Sequence, residues 1–415
     1  MVAVAQPTVL ISGAGIAGPS LAHWLTKNGY RVTVVEIASG IRPGGQTVDL
    51  RGAGGEVVER MGLMPQMREH ALVQHGVAWV GADGRRRAEM PVTAFHGNGL
   101  VSKLEILRGD LVDVLYQATK ETVEYRFNTR ISELHQDDDG VEVTLADNTK
   151  LHADLVVGAD GPHSAVRGIV FGPEEQFVTP LGGYNAWFSA PDHVGLDGWY
   201  LMYMAPGGLN ASMRPIHEPA KAKAALAFAS EPINYDRRDI DQQRQLLVDR
   251  FAGAGWQCDA LLTAAREADD FYFDSFLQVR MPAWTSGRVA LVGDAGYCAS
   301  PLSGMGTSLA LVGAYLLAGE LGPANSSNAQ RIQDALRSYQ TKMRPYVDKC
   351  QNIPNRVDRF APNSASDITM NIAVMKWMQR WPFRPIAARL WFTAADSIAL
   401  PDYSARSEPN SSGTL

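Results

Sequence analysis

Hydrophobic positions follow two rhythms along this chain, and the rhythm changes where the elements change. Residues 9–11, Val-Leu-Ile, form a short unbroken apolar run, the mark of a strand covered on both faces in a parallel sheet. From Pro19 to Asn28 the apolar residues fall at helical spacing, Gly29 stops the helix, and residues 31–35 read as a second strand. A helix over 55–61, a hairpin over 77–90 around Gly81-Ala82-Asp83-Gly84, and a helix through 106–115 follow. Short β-segments are predicted at 123–127, 130–135, 141–145 and 150–153, with Asp137-Asp138-Asp139-Gly140 as a solvated hairpin turn. A buried strand at 155–157 then runs out to Asp160.

Between about 179 and 281 the pattern is mixed. Strand-like stretches rich in aromatics and methionine, 184–188, 198–204 and 209–213, precede helical patterns at 241–252 and 258–267 and an alternating stretch at 271–277. Such residues suit a core, and they also suit a flat apolar ligand. Residues 288–292 return to the buried-strand pattern, followed by a small-residue helix at 309–321 and a longer polar-faced helix at 329–351. Residues 325–328 read as a linker, 368–400 as an amphipathic helix with Trp377, Trp381 and Trp391 that packs back across the molecule, and 404–415 as a disordered tail.

This alternation of strands and helices predicts an α/β protein. A Rossmann-type nucleotide-binding domain would take residues 1–75, 101–178 and 282–328, with an inserted mixed β-sheet substrate domain at 76–100 and 179–281 and a C-terminal helical segment at 329–403. A length of 415 residues accommodates two such cores, and 46% hydrophobic with 20% charged residues is ordinary for a globular protein. The net charge of −6 is mild, and the one basic cluster, Arg85-Arg86-Arg87, is too short to track a nucleic acid, so no such partner is expected. Cys258, Cys298 and Cys350 form no CxxC pair, which predicts neither a disulfide framework nor a metal site and fits a reducing cytoplasm. No signal-like core opens the chain and no run reaches the ~18 apolar residues of a membrane span, so no membrane insertion is expected.

Candidate chemistry begins after the first strand, in Gly13-Ala14-Gly15-Ile16-Ala17-Gly18. The first glycine allows a tight turn, the second lets a backbone approach a pyrophosphate, and the third lets the next helix pack closely. The amino end of that helix, with Ala17 in its first turn, offers unpaired N–H groups and a favourable dipole to an anion. Glu36, at the end of the second strand, suits the two hydroxyls of an adenosine ribose and would repel a 2′-phosphate. The glycine-rich loop 41–52 offers Asp49 and Arg51 as hydrogen-bonding groups, and Arg108 could aim a cation at a phosphate. Asp160 stands at the ligand-binding edge of a parallel sheet. Gly293-Asp294 repeats that arrangement, and Pro301, Gly304, Met305 and Gly306 open the next helix as a second nest.

Three of these motifs together resemble the class A FAD-dependent monooxygenases, the p-hydroxybenzoate hydroxylase fold, and most closely the branch with the tetracycline-degrading enzymes. They are Gly13-x-Gly15-x-x-Gly18 with Glu36; Asp160-Gly161-x-x-Ser164-x-Val166-Arg167; and Gly293-Asp294-Ala295 with Pro301, Gly304 and Gly306. The resemblance implies FAD, its adenosine and pyrophosphate at Gly13, Gly15, Gly18 and Glu36, its ribityl or pyrophosphate side at Asp294, and its isoalloxazine against 301–306. Asp49 and Arg108 resemble further FAD contacts, while Asp160 and Arg167 resemble a motif tied to both FAD and the nicotinamide cofactor.

The implied chemistry is reduction of FAD by NADPH or NADH, addition of O2 at C4a, and transfer of one oxygen from the hydroperoxide to an aromatic or polycyclic small molecule, with inactivation of an antibiotic such as a tetracycline as one outcome. No catalytic side chain is assigned, and a monomer or homodimer is expected. The chain departs from the family where Tyr297 stands at a position commonly His, followed by Cys298. A small buried thiol is expected at Cys298 rather than a covalent flavin link. Two alternatives are a flavin halogenase, whose Trp-x-Trp-x-Ile-Pro signature is missing, and a non-catalytic FAD-fold binding or carrier protein.

Overall fold

The computed structural model describes residues 6–97, 99–324, 329–353, 357–379 and 397–404; the expected linker at 325–328, Trp381, Trp391 and the tail beyond 404 lie outside them. A six-stranded sheet runs in the order Thr285–Ser286, Val289–Leu291, Leu155–Gly158, Thr8–Ser12, Arg31–Val35, Glu124–Arg126. Its pairings are parallel apart from the edge pair of Thr285–Ser286 with Val289–Leu291. With partners on both sides and helices on its face, Thr8–Ser12 has Val9, Leu10 and Ile11 at 2% exposure or less, which is why that stretch carries no alternation.

Helix Gly306–Leu321 is the hub of this layer, packed on by Ala17–Lys27, Gly52–Met61 and Ala329–Gln351. Its small residues make that possible. A Cβ on Gly313 would lie 2.0 Å from the Tyr297 hydroxyl, and one on Gly319 2.2 Å from the Tyr403 ring. Leu309, Leu311, Leu316 and Leu317 are fully buried in return, each contributing about 1.5–3 kcal/mol of transfer free energy.

A seven-stranded mixed sheet runs Tyr272–Val279, Val178–Pro191, Lys221–Ala229, Leu209–Pro215, Trp199–Ala205, Gly76–Val80, Arg86–Pro91. All its pairings are antiparallel except Trp199–Ala205 with Gly76–Val80. The expected hairpin thus joins this second sheet. Helices Ile240–Phe251 and Cys258–Glu267 cover one face through Ala186, Phe188, Leu226 and Phe228. The opposite face looks into a cleft.

Two expectations are corrected, and one strand lies in a stretch to which the sequence pattern gave no element. Glu105–Leu107 pairs with Thr47–Asp49 as a small ribbon, so the helix begins only at Arg108. Lys221–Ala229 is a central strand although its alanines have little strand preference, because neighbours on both sides supply its ladder. The helix expected at 368–400 begins earlier, at Ala365, and its described part runs to Met378: Ile368, Ile372 and Met375 pack on the second sheet while Met370 and Trp377 are exposed, and 380–396 lie outside the described residues. The contact back to the first layer is made separately, where Arg60 donates to Pro401 O over 2.7 Å and Tyr315 donates to the same oxygen over 2.6 Å. No helix of the described residues is long and apolar enough to cross a membrane.

Candidate active site

A cleft of about 1240 Å³ separates the carboxyl edge of the six-stranded sheet from the open face of the seven-stranded one. On the first wall the strands end in glycine turns. Gly13 has φ +105°, and a Cβ there would fall 2.5 Å from Ala159 O, so the turn passes too close to the neighbouring strand for any side chain. A Cβ on Gly18 would fall 2.0 Å from Gly13 O, so the third glycine lets the helix seat on the turn itself. Around Gly15, by contrast, the one atom near such a Cβ is Arg108 Nη2 at 3.2 Å, which leaves the amino end of Ala17–Lys27 open to the cleft.

Arg108 makes no side-chain hydrogen bond or ion pair among the described residues. Burial pulls its pKa below the ordinary guanidinium value, with Asp294 acting the other way. A desolvated cation without a partner is costly, and it stands beside a bare helix amino end. A pyrophosphate would satisfy both. Glu36 reaches the same edge, accepting from Ala14 N over 2.8 Å and Ala38 N over 2.9 Å, with Arg42 3.8 Å away. These bonds orient the carboxylate and leave acceptor capacity for ribose hydroxyls. The donor set therefore fits an adenine dinucleotide.

Asp49 and Arg51 line the cleft as a pair: Arg51 Nε donates to Asp49 Oδ2 over 2.9 Å, and its Nη1 donates to Gly99 O over 3.0 Å. Asp160 also borders the cleft, yet its oxygens are taken up by Ser164 Oγ at 2.5 Å, Ala165 N at 2.9 Å and Val166 N at 3.2 Å. Burial raises its pKa while these bonds oppose the rise. Arg167 is fully buried and donates to Pro162 O over 2.6 Å and Ala295 O over 2.9 Å. The second motif thereby ties its own turn to the third.

In the third motif Gly293 has φ +66° and opens the short helix Asp294–Tyr297. Asp294 borders the cleft; burial lifts its carboxyl pKa and Arg108 works against that. Gly304 takes the left-handed conformation at φ +64°, and a Cβ on it would meet nothing, while one on Gly306 would find only Asp294 Oδ1 at 4.0 Å. Pro301, Met305 and the two glycines thus border open space wide enough for a flat ring system. Tyr297 turns away into the core, its hydroxyl 2.9 Å from Tyr339, which donates to Leu291 O over 3.0 Å. Cys298 borders the cleft, but burial pushes its thiol pKa well above the ordinary value, so it stays protonated and unsuited to nucleophilic attachment.

The second wall escaped the sequence reading residue by residue. Register places Tyr272, Trp187, Ala225, Ser212, Met202 and Trp79 in one row across six strands. Opposed residues share a face. The row is therefore high at its ends and low at Ala225 and Ser212, while the next row runs Asp274, Asn185, Ala227, Asn210 and Met204. The result is a slot between an aromatic wall, Trp187 stacked on Tyr272 with centroids 5.9 Å apart, and a methionine wall. The aromatic and methionine-rich stretches at 198–204 and 209–213 signalled strands, but not which strands lie side by side. Arg214 bridges the two walls: its guanidinium lies 3.9 Å over the Tyr200 ring and donates to Glu105 Oε2 over 2.8 Å and Thr47 Oγ1 over 2.5 Å. Burial raises the Glu105 pKa and Arg214 opposes the rise.

A parallel sheet edge with a glycine turn, a half-buried guanidinium with no side-chain partner among the described residues and a second glycine-opened helix, facing a mixed sheet across a cleft, is the architecture of a class A flavoprotein monooxygenase. The chain belongs to the FAD binding domain family, which it matches over residues 6–352. It is 44% identical over 353 residues, 84% of this chain and 94% of the relative, to the uncharacterized protein MT1298 of Mycobacterium tuberculosis (strain CDC 1551 / Oshkosh). It is 39% identical over 344 residues, 83% of this chain and 86% of the relative, to a flavin-dependent monooxygenase of Legionella longbeachae serogroup 1 (strain NSW150). The crystal structure of tetracycline destructase Tet(51) is similar with a TM-score of 0.80 and 33% identity, covering 96% of this chain and 99% of that one. The protein is a flavin-dependent monooxygenase with FAD as its cofactor.

Proposed function

We propose that this enzyme uses NADPH or NADH and O2 to hydroxylate a flat aromatic or polycyclic small molecule held in the slot between Trp187 and Met202. The observation that carries the reading is the row of small residues, Ala225 and Ser212, flanked by aromatic and thioether walls. Such a slot accepts a planar apolar ring by shape and dispersion. Its position opposite the Pro301–Gly306 turn supports a ligand held against a flavin ring. The six-stranded layer would act as the FAD-holding domain and the seven-stranded sheet as the substrate domain.

When bound, FAD supplies the reducing equivalents taken from NAD(P)H and the transfer of one atom of O2. Gly13, Gly15, Ala17, Gly18, Glu36 and Arg108 would hold its adenosine and pyrophosphate, and Gly293, Asp294, Pro301, Gly304, Met305 and Gly306 its other end. Asp49 and Arg51 would act there as a neutral pair. The contribution of Asp160 and Arg167 is indirect, through the turns they brace. Trp187, Met202 and Met204 would orient the substrate and keep water from it.

The likeness to Tet(51) favours tetracyclines among the ligands to try first. The test is a screen of aromatic compounds, tetracyclines and rifamycins included, for stimulated NAD(P)H oxidation, with mass spectrometry of the products. A product carrying one added oxygen is expected. A bound flavin that neither nucleotide bleaches under anaerobic conditions would overturn the reading.

A further inference from the structure

Tyr272, Asp274, His163 and Glu174 form an unbroken hydrogen-bonded chain from the cleft towards the surface, built from segments far apart in sequence. Tyr272 stands on the cleft wall, 45% exposed, and its hydroxyl donates to Asp274 Oδ2 over 2.8 Å. That same oxygen lies 3.0 Å from His163 Nε2 at the cleft rim. His163 Nδ1 lies 3.0 Å from Glu174 Oε1, which also accepts from Arg237 Nη2 over 3.0 Å. Glu174 and Arg237 are not part of the cleft lining, and the Arg237 side chain is 49% exposed.

The charged and titratable groups around this chain set its protonation. Burial works against the His163 imidazolium, but the hydrogen bonds and charges of Asp274 and Glu174 outweigh it and lift its pKa to about 9. Glu174 is likewise opposed by burial yet held at about 2 by His163 and Arg237, with Arg167 3.4 Å away. Tyr235 lies beside Asp274 on the far side. The ring is exposed to the cleft but the hydroxyl end is desolvated, and that desolvation together with the Asp274 charge and hydrogen bond pushes its pKa well above the ordinary value. At neutral pH the chain is therefore loaded with an imidazolium at its centre and a neutral O–H at its cleft end.

NAD(P)H-driven hydroxylation consumes a proton: RH, O2, NAD(P)H and H⁺ give ROH, water and NAD(P)⁺. A planar substrate seated in the slot would cover the reacting position from bulk water, so the proton must arrive through a side chain on the cleft wall. We propose that Tyr272, Asp274 and His163 deliver this proton from solvent to the cleft, with Glu174 holding the imidazolium in place. The proposal rests on the functional reading above. In the step, the His163 Nε2–H bond breaks to protonate Asp274 Oδ2, which frees the Tyr272 hydroxyl from that oxygen. The hydroxyl turns its hydrogen to the cleft, its O–H bond breaks towards the oxygen atom that leaves as water, the proton on Asp274 restores the hydroxyl, and solvent recharges the imidazole. No group changes oxidation state.

Two variants of the FAD-loaded enzyme test this, Tyr272→Phe, which keeps the ring on Trp187, and His163→Gln, which keeps a hydrogen-bonding side chain without the titration. Both are expected to retain the parent FAD-to-protein absorbance ratio and the parent rate of anaerobic flavin bleaching by NAD(P)H. Turnover falls by about ten- to a hundredfold, the range of a lost proton-transfer group. The solvent deuterium isotope effect of the parent changes in both. The parent also loses turnover as pH rises through about 9, and His163→Gln does not. Independently of turnover, the His163 ring resonance in the apoprotein titrates near pH 9 and moves down in Asp274→Asn. Variants with the parent turnover, isotope effect and pH profile overturn the proposal, as does a His163 that titrates near its ordinary value. A parent that forms no oxygenated product overturns the functional reading first, and this proposal with it.

Discussion

The two walls of the cleft are built by opposite means. The wall at the six-stranded sheet works mostly through the backbone: glycines clear space, a helix amino end presents N–H groups, and Arg108 and Glu36 add charge at its ends. The wall at the seven-stranded sheet works through side chains, with Ala225 and Ser212 low between Trp187 and Met202. A constant ligand can be met by a short contiguous stretch, since its phosphates need only N–H groups and room. A variable ligand is met by one residue from each of several strands, so its shape can change by substitution without disturbing the fold.

Changes on the backbone wall are expected to be the most damaging. Gly18→Ala places a methyl 2.0 Å from Gly13 O, where neither backbone can yield; the cost is about 3 kcal/mol, and the purified protein should be colourless, as its visible absorbance will show. Arg108→Ala leaves the fold intact and removes a charge-assisted contact. It should weaken FAD by about ten- to a hundredfold in a flavin fluorescence titration of the apoprotein. Ala225→Leu tests the opposite wall by filling the floor of the slot. FAD affinity should be unchanged while KM for the substrate rises about tenfold, because rejection by a pocket changes by roughly 1–3 kcal/mol for small changes in fill. A loss of FAD in Ala225→Leu would break the division of labour drawn here.

The smallest expected effect is on stability alone, at the seam around His163 and Glu174. The His163 pKa is raised, so its contribution to stability is complete below about 6.5 and lost as pH rises through about 9. The Glu174 pKa is depressed, so its contribution is present above about 4.5 and lost as pH falls through about 2. Denaturant unfolding across pH should give a plateau falling at both ends, and His163→Gln should remove the alkaline fall.

Much of the first wall was legible in the chain. Gly13 to Gly18, Glu36, Gly293-Asp294 and Gly304 to Gly306 are local words, each meaning one turn and one helix start. Where the reading was incomplete, the missing partner was remote. Asp160 ends its strand as expected, yet its oxygens go to Ser164 and the next helix turn. Arg167 reaches Ala295, far along the chain. Tyr297 sits in the third motif but points into the gap left by Gly313. Lys221–Ala229 has no strand signature of its own because its ladder is supplied from both sides.

Local sequence determined the α/β class and the glycine turns proposed to hold FAD, because backbone conformation, helix ends and glycine clearance depend on neighbours a few positions away. Tertiary structure alone decided the slot and the His163 chain. Trp187 meets Ala225 and Tyr272 only through strand register, and His163 meets Glu174 and Asp274 only when distant segments close on the same turn. Register and closure are settled by the burial of whole sheet faces, a property no short stretch carries.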